Sequence, residues 1–191
     1  FYRAVERQRA AAEATPPSPF PEEPLHGRPR PRAFLDFQIG DDADLKRVEV
    51  TLADDVVPTT VDNFLKLCKG EGGLGYQGLK VHNVKKGVGV MLGDVDGKGG
   101  HSALGRRYFE DESFAGRHSE PGVVTMANTG THTNTSVFCI TVAPLPHLDG
   151  QNVAFGMVSA GQSTVDAISN LFHVNGEPLQ PAVLQACGLL E

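Results

Sequence analysis

Val81 to Asp94 reads VHNVKKGVGVMLGD, and this stretch decides the fold. Apolar residues crowd either side of Lys85-Lys86-Gly87, so strands are expected at about 77–84 and 87–93. Upstream, Phe34, Asp36 and Gln38 alternate with Leu35, Phe37 and Ile39 up to Gly40-Asp41-Asp42. With a second strand at Lys46 to Leu52, this pair reads as a β-hairpin. Pro58 opens a helix at its favoured first turn, Val61, Phe64, Leu65 and Cys68 form its apolar face, and Gly70 ends it. Further strands are expected at about 122–128, 136–142, 153–158 and 182–188. Ser163-Thr164-Val165-Asp166 resembles a capping box for a second helix, with Val165, Ile168 and Phe172 on one face. The fold class is therefore mainly β: a closed eight-stranded antiparallel barrel, two capping helices and an extended N-terminal arm.

The chain has 191 residues, 40% hydrophobic and 21% charged, which suits one compact domain with an appendage. The net charge of -6 argues against a general nucleic-acid binder. No apolar run approaches the ~18–20 residues of a membrane helix. Cys68, Cys139 and Cys187 are widely spaced and form no CxxC, which reads as free thiols and small buried hydrophobes.

Composition breaks near Arg32 and divides the chain into an arm, 1–32, and a domain, 33–191. The arm holds seven of the thirteen prolines, and six arginines against four acids. The domain holds eleven basic residues against nineteen acidic ones. Residues 1–14 can form a short helix with Phe1, Val5 and Ala12 on one face, and 15–32 reads as extended polyproline-like chain. Such a segment orders only against something it lies on, either a partner protein or the chain's own barrel. Its cations, Arg3, Arg7, Arg9, Arg28, Arg30 and Arg32, fit acidic protein surface or ribosomal RNA phosphate. The opening carries arginine without lysine and no secretory apolar run, compatible with the remainder of a cut mitochondrial presequence. The expected location is mitochondrial, with cytoplasm or axoneme as alternatives.

Further blocks follow in order: FEDESF from Phe109, PGVVTMANTGTHTNTS from Pro121 and HLDGQNVAFG from His147. Together with VHNVKKGVGVMLGD, these resemble the cyclophilins, barrel-shaped peptidyl-prolyl cis-trans isomerases, over residues 33–191. The resemblance implies a shallow groove that binds an X-Pro dipeptide and speeds its exchange. The uncatalysed barrier is about 18–20 kcal/mol because the C–N bond has double-bond character. The family lowers it with an arginine that donates to the proline nitrogen as that nitrogen regains its lone pair.

At the arginine position stands Asn83, shorter and uncharged. The socket positions filled by Phe and Met in the family are Val88 and Gly89. The two glutamine positions are Met91 and Val137, and Leu92 replaces a glycine. The second socket phenylalanine is Cys139, the groove tryptophan is His147 and the groove histidine is Asn152. Ala127, Asn128, Phe138 and Leu148 are retained, so the resemblance implies that they still line a binding site. Loss of the charged donor alone costs about 10²–10³ in rate. The sequence thus predicts little or no isomerase activity.

The remaining motifs read as structural. His82 keeps a family position where it packs, and Glu110-Asp111-Glu112 is a solvated or capping block. Gly97-Lys98-Gly99-Gly100 lacks the spacing of a phosphate loop, and Asp94-Val95-Asp96-Gly97 lacks the distal Glu of a calcium loop because residue 105 is Gly. The histidines have no zinc spacing, and Asn134-Thr135-Ser136 is only a formal glycosylation triplet. No cofactor and no metal are expected. The leading expectation is a non-catalytic scaffold subunit docking with other proteins through barrel and arm. The alternatives are a weak isomerase and a proline-peptide binder without turnover, with the arm itself a candidate occupant of the groove.

Overall fold

The computed structural model describes residues 18–190. The expected helix at 1–14 and Arg3, Arg7 and Arg9 lie outside the described residues. Among the described residues ten strands are present: β1 (Arg32–Ile39), β2 (Lys46–Leu52), β3 (Asn83–Lys85), β4 (Gly89–Leu92), β5 (Val123–Met126), β6 (Phe138–Thr141), β7 (Ala154–Ala160), β8 (His173–Val174), β9 (Glu177–Pro178) and β10 (Ala182–Leu190). Two α-helices accompany them among the described residues, α1 (Pro58–Lys69) and α2 (Gln162–Ser169). Eight strands form one antiparallel sheet in the order β10-β1-β2-β7-β5-β6-β4-β3.

The sheet curls but does not close strand to strand. Its edges, β3 and β10, are stitched by the segment ahead of β3. Gly78 N donates to Leu184 O (2.7 Å), Leu184 N to Leu79 O (2.9 Å) and Val81 N to Ala182 O (2.8 Å). A continuous ladder is blocked because β3 has three residues and gives its Val84 N–H to Gly176 O (2.6 Å) in the β8–β9 hairpin. That hairpin was not anticipated, yet Asn175-Gly176 marks it: both residues take positive φ (52° and 89°), as a two-residue hairpin turn requires.

Period two sorts the sheet. Ala33, Leu35 and Phe37 of β1 point into the core, while Phe34 lies outside under the Arg47 guanidinium, 4.5 Å from its ring centre. The core centres on Phe64 of α1, whose ring lies 5.3–5.5 Å from those of Tyr76, Phe138 and Phe155. Val61, Phe64 and Cys68 are buried as expected, but Leu67 takes the place given to Leu65, which is only half-buried. On α2, Val165 and Ile168 are buried, but the helix ends at Ser169 and Phe172 is 87% exposed. No capping box forms: the N-cap is Gly161, at φ 84°.

The described part of the arm, 18–31, lies on the protein's own barrel. Phe20 is buried against Gly116, and Arg117 N donates to Pro19 O (2.9 Å). Arg30 forks onto Asp55 (2.6 and 2.8 Å), Arg28 donates to Asp54 (2.6 Å), and Arg32 pairs with Glu49. Arg30 holds the Asp55 carboxyl well below the ordinary carboxylate range, against the opposing effect of burial.

Helix α1 lacks a local cap, because Val57 has no acceptor to offer. Glu112 supplies one from a distant loop, accepting from Thr59 N, Thr60 N and Thr60 Oγ1, each at 2.9 Å. Replacing Glu112 with Ala is expected to lower stability by about 1–2 kcal/mol. A urea midpoint shift with an unchanged slope checks this, and an unshifted midpoint contradicts the cap.

Candidate functional site

Strand register builds the site. Asn83 pairs with Met91, Met91 with Cys139, and Cys139 with Thr125. These four form one row across β3, β4, β6 and β5. The neighbouring row, Val84, Val90, Ile140 and Val124, faces the core. Alternation therefore puts Asn83, Gly89, Met91 and Cys139 together on the outer face.

This face is shallow. Val88 is half-buried at the turn into β4. A Cβ at Gly89 would stand 2.4 Å from Ile140 O and 2.8 Å from Cys139 Sγ. The position where the family carries methionine is thus closed by backbone as well as empty. Cys139 is buried, and desolvation pushes its thiol up to about 12. The Asn83 carboxamide packs on the hairpin turn: a Cβ at Gly176 would stand 2.8 Å from both its polar atoms.

Beside Met91 opens a cavity of about 260 Å³, lined by Ala127, Asn128, Val137, Tyr108 and Thr133 among others. Asn128 Nδ2 donates to Gln151 O (2.8 Å) and Asn152 Nδ2 to Met126 O (2.9 Å), so both carboxamides brace the loop between β6 and β7. His147 is exposed and Leu148 half-buried in a short 3₁₀ turn of that loop. Two expected groove residues lie elsewhere. Phe138 is wholly buried in the aromatic core, and the Leu92 side chain fills the core rather than the groove.

Sequence reasoning missed His118. Its backbone N donates to Asp149 Oδ1 (2.8 Å), its Nδ1 lies 2.8 Å from the same oxygen, and its Nε2 lies 2.9 Å from Thr125 Oγ1. A neutral ring donating from Nδ1 and accepting the Thr125 hydroxyl at Nε2 satisfies both contacts. It ties the loop carrying His147 and Leu148 to the Cys139 row. Desolvation holds its pKa below the ordinary value, against the pull of Asp149. No spacing in the sequence announced it.

The other motifs hold structure together. Asp94 accepts from the backbone of Lys98, Gly99 and Gly100, and Asp96 from Lys98 and Gly100. Asn134 is buried, with Nδ2 given to Phe109 O and Asp111 Oδ1, so it offers no glycan acceptor. His26, Asp54 and Asp55 bring three potential ligand atoms within 4.8 Å, but Arg28 and Arg30 already hold both carboxylates. Cys187 Sγ lies 3.6 Å from Cys68 O, so two of the free thiols are neighbours.

The description "Cyclophilin type peptidyl-prolyl cis-trans isomerase/CLD" belongs to a family model that matches residues 34–189. The chain belongs to the cyclophilin family. It is 41% identical over 151 residues to peptidyl-prolyl cis-trans isomerase 9 of Caenorhabditis briggsae, covering 73% of this chain and 48% of that protein. The chain thus spans about half the length of this curated relative. No helix among the described residues is long and apolar enough to cross a membrane.

Two measurements probe this cyclophilin domain. The Cys187 thiol is drawn below its ordinary value by the neighbouring Cys68 thiol, whereas Cys68 and Cys139 are driven up. Maleimide is therefore expected to label Cys187 first in the native chain, and the other two only on unfolding. Equal labelling would contradict this packing. His118, and His82 likewise through desolvation, sit below the ordinary 6.5. The unfolded chain then binds more protons, so stability is full above about pH 6.5 and falls as pH drops through it. His118→Gln is expected to flatten that fall in pH-dependent urea midpoints.

Proposed function

We propose that this cyclophilin domain has given up prolyl isomerisation and works by binding, as a rigid docking body among other protein subunits. The observation that carries the reading is Asn83, which stands where the family's donor arginine belongs and packs against Gly176. It offers a neutral, short donor to a transition state that needs charge. Gly89 and Cys139 then leave no tall apolar wall to hold a proline ring.

The arm's contribution differs from that of a free clasp. Arg28, Arg30 and Arg32 already engage Asp54, Asp55 and Glu49, so a partner protein or RNA would have to displace those acids. The mitochondrial location is proposed with this function on the composition of residues 1–32 alone. A second reading, peptide binding without turnover, is favoured by the cavity beside Met91, where Ala127 and Asn128 remain. The described arm does not fill it, because residues 18–22 line a different hollow with Thr51 and Met157.

The test is cis/trans exchange of a short X-Pro peptide with the full chain. Exchange is expected to stay at the uncatalysed rate of tens to hundreds of seconds. Asn83→Arg alone is expected not to restore turnover, because the socket walls are absent. Saturable turnover by the unmodified chain would overturn the proposal. Peptide-induced amide shifts at Met91 and Asn128 without turnover would favour the second reading.

A further inference from the structure

Three large apolar side chains stand exposed around one short hairpin: Phe172 at 87%, Val174 at 59% and Leu179 at 68%. They are held there, since Leu179 N donates to Phe172 O (2.8 Å) and clamps the base of the β8–β9 ribbon. Two hollows open beside them, of about 420 and 370 Å³, and share Leu179. A patch of this kind, gathered on a rigid ribbon, is the usual form of a recognition surface.

Charge adds a second and independent observation. Lys46, Lys66 and Lys69 each pair with a carboxylate of Asp42, Asp62 or Glu71. Lys80, Lys85 and Lys86 have no carboxylate within 4.0 Å among the described residues. All three lie on the segment that is bonded to the hairpin and to β10. Val84, next to Lys85, is bonded to Gly176, while Lys80 bridges to Val183 and Val81 N donates to Ala182 O. The segment 80–86 thus runs beside 176–183 and brings three unpaired lysines to the neighbourhood of the apolar patch. Glu177 is the one acid on the ribbon.

We propose that the 172–179 hairpin, with Lys80, Lys85 and Lys86, is a docking surface for an acidic protein segment that carries large apolar side chains. The apolar residues would seat in the hollows around Leu179, and the carboxylates would meet the three lysines. A lipid surface fits less well, because the apolar groups border concavities and the chain as a whole carries -6. The surface is separate from the Met91 cavity and stands whether or not the groove turns over.

The test titrates the full chain, ¹⁵N-labelled, with a short peptide of alternating glutamate and leucine. Saturable shifts are expected at residues 172–179 and 80–86. Affinity is expected to drop about tenfold or more in Phe172→Ser/Leu179→Ser and in Lys85→Glu/Lys86→Glu, and to weaken with salt. All four positions are exposed, so these variants fold, and far-ultraviolet circular dichroism checks that they do. A peptide with lysine in place of glutamate is expected not to bind. The proposal is overturned by no binding of the acidic peptide, or by shifts confined to Met91 and Asn128. It is also overturned by binding that survives both double variants, by Phe172-dependent self-association in sedimentation, or by Phe172-dependent capture on phosphatidylserine vesicles.

Discussion

Two-residue alternation across β4 and β6 is the constraint on which the rest depends. Val90, Leu92, Phe138 and Ile140 face inward and are sealed against Phe64 and Phe155. Gly89, Met91 and Cys139 face outward on the same eight positions of chain. Shrinking an inward side chain costs about 2–5 kcal/mol, because the surrounding core cannot collapse onto the cavity. An outward change in an open groove leaves no sealed void and costs far less. The two faces are therefore under different physical restraint, and one can keep a cyclophilin core while the other loses its cyclophilin groove. Leu92 shows how local the division is: it stands next to Met91 in sequence, yet its bulk is spent wholly on the core.

The loops around the groove are tied to that core by buried polar bonds rather than by strand pairing. Asn63 of α1 donates to Thr135 O (2.9 Å) and accepts from Ala103 N (2.8 Å), joining the two loops that approach the Met91 cavity. Tyr76 Oη donates to Ser136 O (2.8 Å) beneath the same turn. Glu112 fastens a third loop to the start of α1. A buried donor or acceptor left without its partner costs about 1–3 kcal/mol, so these bonds fix loop positions firmly. The cavity is consequently a built feature, although a side chain at Gly89 beside it would meet Ile140 O.

Most of the sheet was legible because burial on one face imposes a period that composition displays directly. β1, β2 and α1 fall close to where alternation, Pro58 and Gly70 place them. Several misreadings share a cause, since they concern bonds between segments distant in sequence. Nothing near Val57 says that Glu112 will cap α1. Nothing near Thr125 says that His118 will reach back from Asp149. The closed barrel was the reading of strand count alone, and it failed where Gly176 takes the Val84 N–H that a β3–β10 ladder needs. Phe172 was assigned to α2 by its spacing, but the helix stops at Ser169 and the ribbon carries the ring into solvent. The groove substitutions were legible residue by residue. The closure at Gly89 was not, because it depends on how near Ile140 O approaches.

That one hydrogen bond also joins the two candidate surfaces. Gly176 carries the turn of the apolar hairpin, accepts from Val84 and walls the Asn83 carboxamide. A segment seated on Phe172, Leu179 and the lysines of 80–86 therefore borders the groove along β3, since Lys85 pairs with Gly89. Any influence of one surface on the other is bounded by the differential energy of that junction. The hairpin and the groove therefore share β3 as their border, with Val84 and Asn83 both in contact with Gly176.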